Sequence, residues 1–240
     1  MRASRTNSPL PTGDEKQLAV RHMFDAISAR YETLNRIMAL GLDRAWRRRC
    51  VDALELPAAS TVLDVACGTG DLCRELTGRG FHAVGLDLSA GMLAHARTVA
   101  PLVMADVLAA PLRPARADGA VSGFALRNMV DLASLFAELA RAVRPGGRIS
   151  LLDLSEPDNP ALRAGHRLWS NYAIPLLGAA LSDPEAYSYL PRSLAYLPSP
   201  SQMVNLLESA GFHAIERVLL SGGICQLYVA TRSEEPQPCR

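Results

Sequence analysis

The fold is decided by the stretch Val62-Leu63-Asp64-Val65-Ala66-Cys67-Gly68-Thr69-Gly70-Asp71-Leu72. Its apolar beginning is typical of a short buried strand, and Asp64 stands near the carboxyl end of that strand. Gly68 and Gly70 then form a turn that opens a helix, since glycine adopts tight turns and lets a ligand come close to the backbone. Because ligands of open α/β sheets bind beyond the carboxyl ends of the strands, the stretch predicts a ligand site at this turn.

Strand-like and helix-like segments alternate after this stretch. Continuous apolar strands between amphipathic helices indicate a parallel sheet with helices on both faces, so we predict an α/β, Rossmann-like fold. Ser221-Gly222-Gly223 is short enough for a hairpin, so the last strand should run antiparallel to its neighbour. The predicted strands are 61–65, 81–87, 102–105, 119–124, 149–154, 213–220 and 224–231. A short helix is predicted to end at residue 77, and three further helices are predicted over 90–99, 131–143 and 201–210.

The chain of 240 residues is most simply one domain with additions. Residues 15–56 are predicted to form an N-terminal helical cap, with Asp43 as the N-cap of an arginine-rich helix. Residues 57–232 form the main domain. Residues 155–200, rich in proline and aromatic side chains, are predicted to be an insertion after the fifth strand, on the substrate side.

Composition excludes several classes of protein. With 25 Lys+Arg against 24 Asp+Glu, the chain has no net field to attract nucleic acid. Its cysteines and histidines lack metal-ligand spacing, so we expect no metal and free thiols in a reducing cytoplasm. The polar ends, 1–14 and 233–240, are expected to be disordered, and the first lacks a secretory signal. The most apolar stretch, 172–181, is about half the length that spans a bilayer.

Asp64, beside the glycine-rich turn, helps to distinguish between two kinds of cofactor. A similar turn cradles the pyrophosphate of dinucleotides, so a nicotinamide-dependent oxidoreductase is one interpretation. Cys73, however, stands where that pattern has its third glycine. Asp64 would repel a pyrophosphate but attract the ammonium of a methionine moiety. We therefore favour S-adenosylmethionine, held between Asp64 and Val107.

Two further acidic residues lie at the end of the second predicted strand and just past the third. Asp87 is placed to accept the ribose hydroxyls of a nucleoside, although an N-cap for the next helix is an alternative. Asp106 can accept from the adenine amino group, and the Val107 N–H can donate to the ring. Leu88 or Met92 could pack on the adenine face, unless Met92 belongs to the core.

The segment Phe124-Ala125-Leu126-Arg127-Asn128 ends the fourth strand, where the sulfonium of the methyl donor should face the substrate. Arg127 and Asn128 are the polar groups at this point. An alternative is that Arg127 pairs with a nearby carboxylate.

Together these motifs resemble the ubiquinone/menaquinone biosynthesis C-methyltransferases, from about Met23 to Arg232. The glycine-rich motif is shared by many methyltransferases, whereas the N-terminal segment and Leu126-Arg127-Asn128 are more specific. The resembling segments are 24–31, 40–48, 64–72, 124–128 with Asp131, 144–148, 187–190, Ser193, Pro198, 210–212 and Gly222-Gly223.

The resemblance implies a class I methyltransferase fold and methylation of a ring carbon in a polyprenylated hydroquinone, such as demethylmenaquinol. It also implies cofactor contacts at Thr69, Asp87, Asp106 and Val107. The family has a serine where this chain has Gly123. A glycine of its motif is Ala125 here, and the run from Ser193 to Pro198 has changed surroundings. A methyltransferase for a water-soluble phenol, and a cofactor-binding protein without catalysis, remain alternatives.

The implied reaction assigns roles to the strand-four residues. Methyl transfer is an in-line displacement, so alignment is the main contribution of the enzyme. A hydroquinone carbon becomes nucleophilic when its neighbouring hydroxyl loses a proton. Arg127 would lower the pKa of that hydroxyl, and Asn128 would hydrogen-bond the ring oxygen. Water, Tyr31 or solvent would take the proton.

An isoprenoid tail lies in a membrane, so we expect transient peripheral contact at the inner face of the cell membrane. The contact would use the arginines 44–49 around Trp46 or the apolar segment 169–181. The arginine cluster would otherwise be a solvated helix face. The sequence leaves open whether the protein is a monomer or a homodimer.

Overall fold

The computed structural model describes residues 12–169 and 192–234. The part of the chain so described contains one seven-stranded sheet. Its strands are β1 (Thr61–Val65), β2 (His82–Asp87), β3 (Leu102–Met104), β4 (Ala117–Gly123), β5 (Val143–Leu154), β6 (Phe212–Leu220) and β7 (Cys225–Arg232).

The strand order is β3-β2-β1-β4-β5-β7-β6, and the first five strands in the chain pair in parallel. Strand β7 runs antiparallel to both of its neighbours, β5 and β6. The predicted α/β class and antiparallel last strand are therefore confirmed. The helices are α1 (Gly13–Ile27), α2 (Tyr31–Met38), α3 (Asp43–Asp52), α4 (Asp71–Thr77), α5 (Ala90–Ala94), α6 (Leu132–Ala142), α7 (Pro160–Leu168) and α8 (Pro200–Ser209).

Neighbouring residues of β1 show how the sheet is covered. Side chains of a strand alternate between its faces. Val62 packs in the cluster built around α3 and α4, with Trp46 and Leu72. Leu63 packs in the opposite cluster with Phe136 of α6. The sheet thus carries apolar helices on both faces, which is why its strands are continuously apolar.

The helices α6 and α8 lie within one residue of their predicted ends, whereas α3 and α5 differ from the prediction in ways that have a structural reason. Asp43 is the first residue of α3 and not its N-cap, because its carboxylate turns to Arg47 one turn later. Helix α5 ends at Ala94, five residues before the predicted end. The chain then turns back so that the Arg97 N–H donates to the Thr69 carbonyl at 3.1 Å. A contact within the helix therefore accompanies the first boundary, and a tertiary contact follows the second.

The predicted tails lie mostly outside the described residues. Helix α1 begins at Gly13, two residues before the predicted start of the helical cap, and Asp14 and Glu15 lie in its first turn, where acids favour the helix dipole. At the other end, the Ser233 N–H donates to the Gly211 carbonyl at 2.9 Å. The apolar stretch 172–181 also lies outside the described residues.

Helix α1 is fastened across the carboxyl end of the sheet. The Lys16 ammonium donates to the Met129 carbonyl at 2.6 Å. The Asp25 carboxylate accepts from the Ser89 hydroxyl and from the Gly91 N–H. The cap therefore forms one wall of whatever site lies at this edge. Within the ranges given above, no helix combines the length and apolar character needed to cross a membrane.

The packing of α6 on the sheet gives a stability prediction. Phe136 is fully buried. Phe136→Ala should lower the free energy of unfolding by about 3–5 kcal/mol, because the lost side chain leaves a cavity. Urea denaturation measures this. Val99 is 90% exposed, so Val99→Ala should change the free energy by less than about 0.5 kcal/mol. Equal values for the two variants would contradict the packing described.

Candidate functional site

The order of the sheet creates a cleft. β1 lies between β2 and β4, so the strand order reverses at β1, and such a switch point opens a crevice at the carboxyl ends. A cleft of about 780 Å³, including space open to solvent, lies there. The predicted residues that line it are Tyr31, Gly68, Asp87, Leu88, Met92, Asp106, Val107, Gly123 and Asn128.

A smaller inner pocket of about 300 Å³ adjoins the cleft and shares Gly68 and Gly123 with it. It contains Asp64 and Thr69, both predicted. Asp64 is 1% exposed, and one carboxylate oxygen accepts from the Cys73 N–H at 3.0 Å. The other oxygen, like the Thr69 hydroxyl, has no partner among the described residues. The inner pocket therefore offers an unused buried acceptor to a cationic group.

Burial controls the protonation of Asp64. Loss of solvent, helped by the nearby charge of Asp87, raises the pKa of its carboxyl to about 7, against the lowering effect of the hydrogen bonds from Cys73 and the charge of Arg47. A ligand ammonium beside the free oxygen would favour the ionised form. The site is thus suited to an amino-acid cation.

Glycine has separate roles in the turn. Gly68 has φ +54°, and a Cβ there would lie 3.9 Å from Tyr31 Cε1, in the cleft itself. Gly70 has φ +81° and is the N-cap of α4; a Cβ there would lie 2.9 Å from Thr98. Gly70, which we predicted to contact the cofactor, is absent from the described linings of the cleft and the inner pocket.

Gly123 is also required by close packing. A Cβ at this position would lie 2.9 Å from Leu72 Cδ1. A serine at this position, which the resemblance implies, would therefore need Leu72 to move. Ser122 does not replace it, because its hydroxyl donates to the Val65 carbonyl at 2.8 Å.

The Asp87 carboxylate accepts hydrogen bonds from two loops. One carboxylate oxygen accepts from the Gly68 N–H at 2.7 Å and the other from the Ser89 N–H at 2.8 Å. The N-cap of α5 is Ser89, whose hydroxyl accepts from the Met92 N–H, so the N-cap alternative for Asp87 is wrong. Burial raises the pKa of Asp87. Each oxygen retains a lone pair, and Asp87 lines the cleft.

Asp106 has a partner that the sequence did not indicate. Its carboxylate accepts from the Leu108 N–H at 2.9 Å and from Gln17 Nε2 at 2.8 Å. Gln17, Val20 and Phe24 of α1 line the same end of the cleft. An amide N–H thus occupies one acceptor position of the carboxylate that we predicted for an adenine amino group, and each oxygen retains a further lone pair.

Arg47 turns inward from the arginine-rich helix. It is buried and lines the inner pocket, whereas Arg44 and Arg48 are exposed. Its guanidinium pairs with Asp43 and with Asp71, the latter at 3.0 Å. The predicted surface cluster therefore contributes one cation to the site, which sequence spacing alone did not distinguish from its neighbours.

Arg47 also reaches Phe124, since its guanidinium lies 5.3 Å from the centre of that ring. Phe124 has φ +62°, an unusual conformation for a bulky residue. Its ring lines both the cleft and a third space, the apolar pocket. Strain at a strand end beside two cavities is typical of a functional position.

The apolar pocket has a volume of about 1360 Å³, including space open to solvent. Its walls come from α2, α3, α7 and the ends of β4 and β5. The apolar residues that line it are Met38, Ala39, Leu40, Leu42, Trp46, Phe124, Leu154, Ala161, Leu162, Trp169, Leu194 and Ile224, and the polar ones are Asn35, Asp43, Arg127 and His166.

Arg127 lines the apolar pocket, and buried side chains outside the pocket lining hold its guanidinium in place. Its guanidinium pairs with the fully buried Asp153, and its Nε donates to the Ser193 hydroxyl at 3.1 Å. The carboxylate partner that we kept as an alternative is therefore present. The structure separates Arg127 from Asn128, which lines the cleft. Neither Asp153 nor Ser193 was predicted as a partner.

No group of three or more His, Cys, Asp or Glu suited to a metal occurs in the described ranges. The four cysteines in these ranges are free thiols, and all are buried.

Comparisons with known proteins identify the family. A model of the ubiE/COQ5 methyltransferase family matches residues 12–232. The ubiquinone/menaquinone biosynthesis C-methyltransferase UbiE of Syntrophotalea carbinolica is 36% identical over 225 residues, which are 89% of this chain and 94% of that protein. The demethylmenaquinone methyltransferase of Roseiflexus castenholzii is 36% identical over 231 residues, 93% of this chain and 97% of that protein.

Solved structures support the fold alone. Phosphoethanolamine N-methyltransferase 2 of Haemonchus contortus, in complex with S-adenosyl-L-methionine, has a TM-score of 0.57 at 14% identity, covering 79% of this chain and 52% of that chain. A TehB-like SAM-dependent methyltransferase of Corynebacterium glutamicum has a TM-score of 0.53 at 17% identity, covering 78% and 88%. The match over residues 12–232, with relatives above one-third identity, shows that this chain belongs to the ubiE/COQ5 methyltransferase family and is an S-adenosylmethionine-dependent methyltransferase.

Proposed function

We propose that the protein methylates a ring carbon of a reduced polyprenyl quinol, as in the conversion of demethylmenaquinol to menaquinol. The observation that carries this proposal is the apolar pocket, which meets the cleft at Phe124. A lining of apolar and aromatic side chains with few polar groups suits a fused ring and the first part of an isoprenoid tail. The names of the relatives support the same substrate class.

The residues of the cleft and the inner pocket fit S-adenosylmethionine, which supplies a methyl group activated by a sulfonium. The free oxygen of Asp64 would hold the ammonium, with the Thr69 hydroxyl nearby. Arg47 is the cation on the inner pocket for the carboxylate of the methionine moiety. We assign the ribose hydroxyls to Asp87 and the adenine amino group to Asp106.

Other cleft residues complete the cofactor site. The Val107 N–H would donate to the adenine ring. Leu88 and Met92 line the cleft where they would pack on the ring faces. Gly68 and Gly123 leave room for the ligand, and Gly70 shapes the turn.

For the substrate, we propose that Arg127 stabilises negative charge on a ring oxygen. Asp153 and Ser193 accept hydrogen bonds from two nitrogens of its guanidinium and thereby orient the remaining N–H groups. An arginine remains charged and does not act as a base. Asn128 would hydrogen-bond a ring oxygen from the cleft side. Burial raises the pKa of Tyr31, so that Tyr31 contributes a neutral phenol and not a proton acceptor.

We also propose transient contact with anionic lipid from the cytoplasmic side. Leu40 and Leu42 are exposed at the rim of the apolar pocket, and Arg44 and Arg48 are exposed on the adjoining α3. Apolar and basic side chains together favour a lipid surface. Trp169 also lines the pocket, while the rest of segment 169–181 lies outside the described residues.

The main test is transfer of labelled methyl from S-adenosylmethionine to reduced demethylmenaquinone. Arg127→Ala should lower kcat about 100-fold or more, because charge stabilisation in the transition state is lost. S-adenosylhomocysteine affinity, measured by calorimetry, should remain within about twofold, since Arg127 lies outside the cofactor pockets. Full turnover by Arg127→Ala would refute its role. Equal activity on a tail-less hydroquinone would favour a water-soluble phenol as the natural substrate.

The Asp64 carboxylate gives a pH prediction. Its pKa of about 7 means that the free enzyme loses this charge as pH falls. S-adenosylhomocysteine affinity should therefore be highest above pH 7 and fall about tenfold by pH 6.

Asp64→Asn should weaken binding about 10- to 100-fold at pH 8 and remove this pH dependence, because a hydrogen bond to a charged group is lost. The asparagine can still accept from the Cys73 N–H. Calorimetry at both pH values measures the effect, with Asp118→Asn on the far end of the sheet as control. A variant that keeps the wild-type pH profile would exclude Asp64 as the ammonium site.

The lipid contact can be tested by flotation. The protein should float with vesicles containing phosphatidylglycerol and much less with pure phosphatidylcholine. The double variant Arg44→Glu and Arg48→Glu should lose roughly 2 kcal/mol of binding, about 1 kcal/mol for each arginine. Activity on a detergent-solubilised quinol serves as the control for folding. Equal flotation with both vesicle types would disprove the proposed surface.

A further inference from the structure

The unpartnered polar atoms of the protein are concentrated at the two cavities. Five buried side-chain polar atoms lack a hydrogen-bond partner in the described ranges. Asp64 and Thr69 in the inner pocket account for two of them. Two more, Asp43 Oδ1 and Asn35 Nδ2, belong to residues that line the apolar pocket. Since a buried unpaired polar group costs about 1–3 kcal/mol, such atoms indicate positions where a ligand supplies the partner.

Asp43 is suited to this role by its position. It is 4% exposed and begins α3. Its Oδ2 is taken by Arg47, whose guanidinium lies against the Phe124 ring. The remaining oxygen is therefore an acceptor near the partition between the apolar pocket and the cofactor side. A ring that reaches this oxygen would lie beside Phe124.

The chemistry of the two atoms fits one functional group. An ionised carboxylate only accepts hydrogen bonds, and the Asn35 Nδ2 only donates them. A ring hydroxyl can donate to the Asp43 oxygen, and it can also accept from a donor such as the Asn35 amide. A quinone carbonyl can only accept, so its oxygen would face the Asp43 lone pairs without a proton between them. The Asp43 oxygen thus distinguishes a reduced ring from an oxidised one.

We propose that Asp43 Oδ1 accepts a hydrogen bond from a ring hydroxyl of the substrate and makes the enzyme select the quinol over the quinone. This rests on the proposed function and adds a specificity-determining residue to it. The selection is useful because only the reduced ring has a nucleophilic carbon. Arg127 and His166 also line this pocket. An arginine only donates hydrogen bonds and a histidine can donate or accept, so neither side chain favours a ring hydroxyl over a carbonyl as the Asp43 carboxylate does.

The test compares binding of a short-tailed demethylmenaquinone in its quinol and quinone forms, without oxygen and with S-adenosylhomocysteine present. Trp46 and Trp169 are the two tryptophans of the chain and both line the apolar pocket, so fluorescence quenching reports binding. The wild type should prefer the quinol by about tenfold or more. Asp43→Asn should reduce this preference at least about tenfold, because the new amide can donate to a carbonyl while its oxygen still accepts from Arg47. Asp43→Glu, which keeps the carboxylate, should retain part of the preference.

Two variants separate this role from its neighbours. Asp71→Asn removes the other carboxylate on Arg47 and should leave the quinol-to-quinone ratio within about twofold. His166→Gln changes the other titratable group of the pocket and should also leave the ratio unchanged. A ratio that is unaltered in Asp43→Asn, or that is lost in His166→Gln, would overturn the inference.

A measurement on the wild type alone guards against a variant that misfolds. The dimethyl ether of the quinol keeps the ring and loses the hydroxyl protons, so it should bind about tenfold more weakly than the quinol. Equal affinity would overturn the assignment of Asp43 even while labelled methyl transfer continues, which leaves the proposed function intact. If the wild type neither binds nor methylates the quinol, the proposed function itself fails.

Discussion

The reversal of strand order at β1 is the constraint on which the rest of the structure depends. With β2 on one side and β4 on the other, the loops that follow these strands diverge and leave the carboxyl edge open. Asp64 sits at that edge in a setting where one oxygen is bonded to the Cys73 N–H and the other is free. A carboxylate so deeply buried is costly without a partner, and its raised pKa expresses that cost. The free protein therefore carries, at its centre, an incomplete interaction that a cationic ligand completes.

The N-terminal cap contributes walls to all three spaces at this edge. Gln17 of α1 reaches Asp106 and closes the far end of the cleft. Arg47 of α3 joins Asp71 and covers the inner pocket. The same helix places Asp43 on the apolar pocket, so one ion pair borders both the cofactor side and the substrate side. Because the cap contributes these contacts through long polar side chains, the fold of the sheet alone would not make a functional site.

How much of this the sequence could predict depends on the range of the interactions. Asp64, Asp87 and Asp106 could be placed together because each lies at or just beyond the carboxyl end of its own strand, and parallel strands end at one edge of a sheet. The partner of Asp106 could not be predicted, since Gln17 lies 89 positions away and belongs to a helix whose docking is set by tertiary contacts. In the same way, nothing in the spacing of four arginines on α3 shows that Arg47 alone turns inward. The pairing of Arg127 with Asp153 could be kept only as an alternative, because it required the neighbouring strand β5.

Phe124 connects these observations. Its positive φ places an aromatic ring between the cleft and the apolar pocket, where a methyl group would have to pass from one side to the other. Unpartnered polar atoms lie on both sides of it: Asp64 with Thr69 in the inner pocket, and Asp43 with Asn35 on the apolar pocket. Strain and unpaired polar atoms both reduce the stability of the ligand-free protein, and both are concentrated within this one region. Their arrangement is understandable if the folded chain is built to hold two ligands face to face, since each cost is removed only when the corresponding ligand is bound.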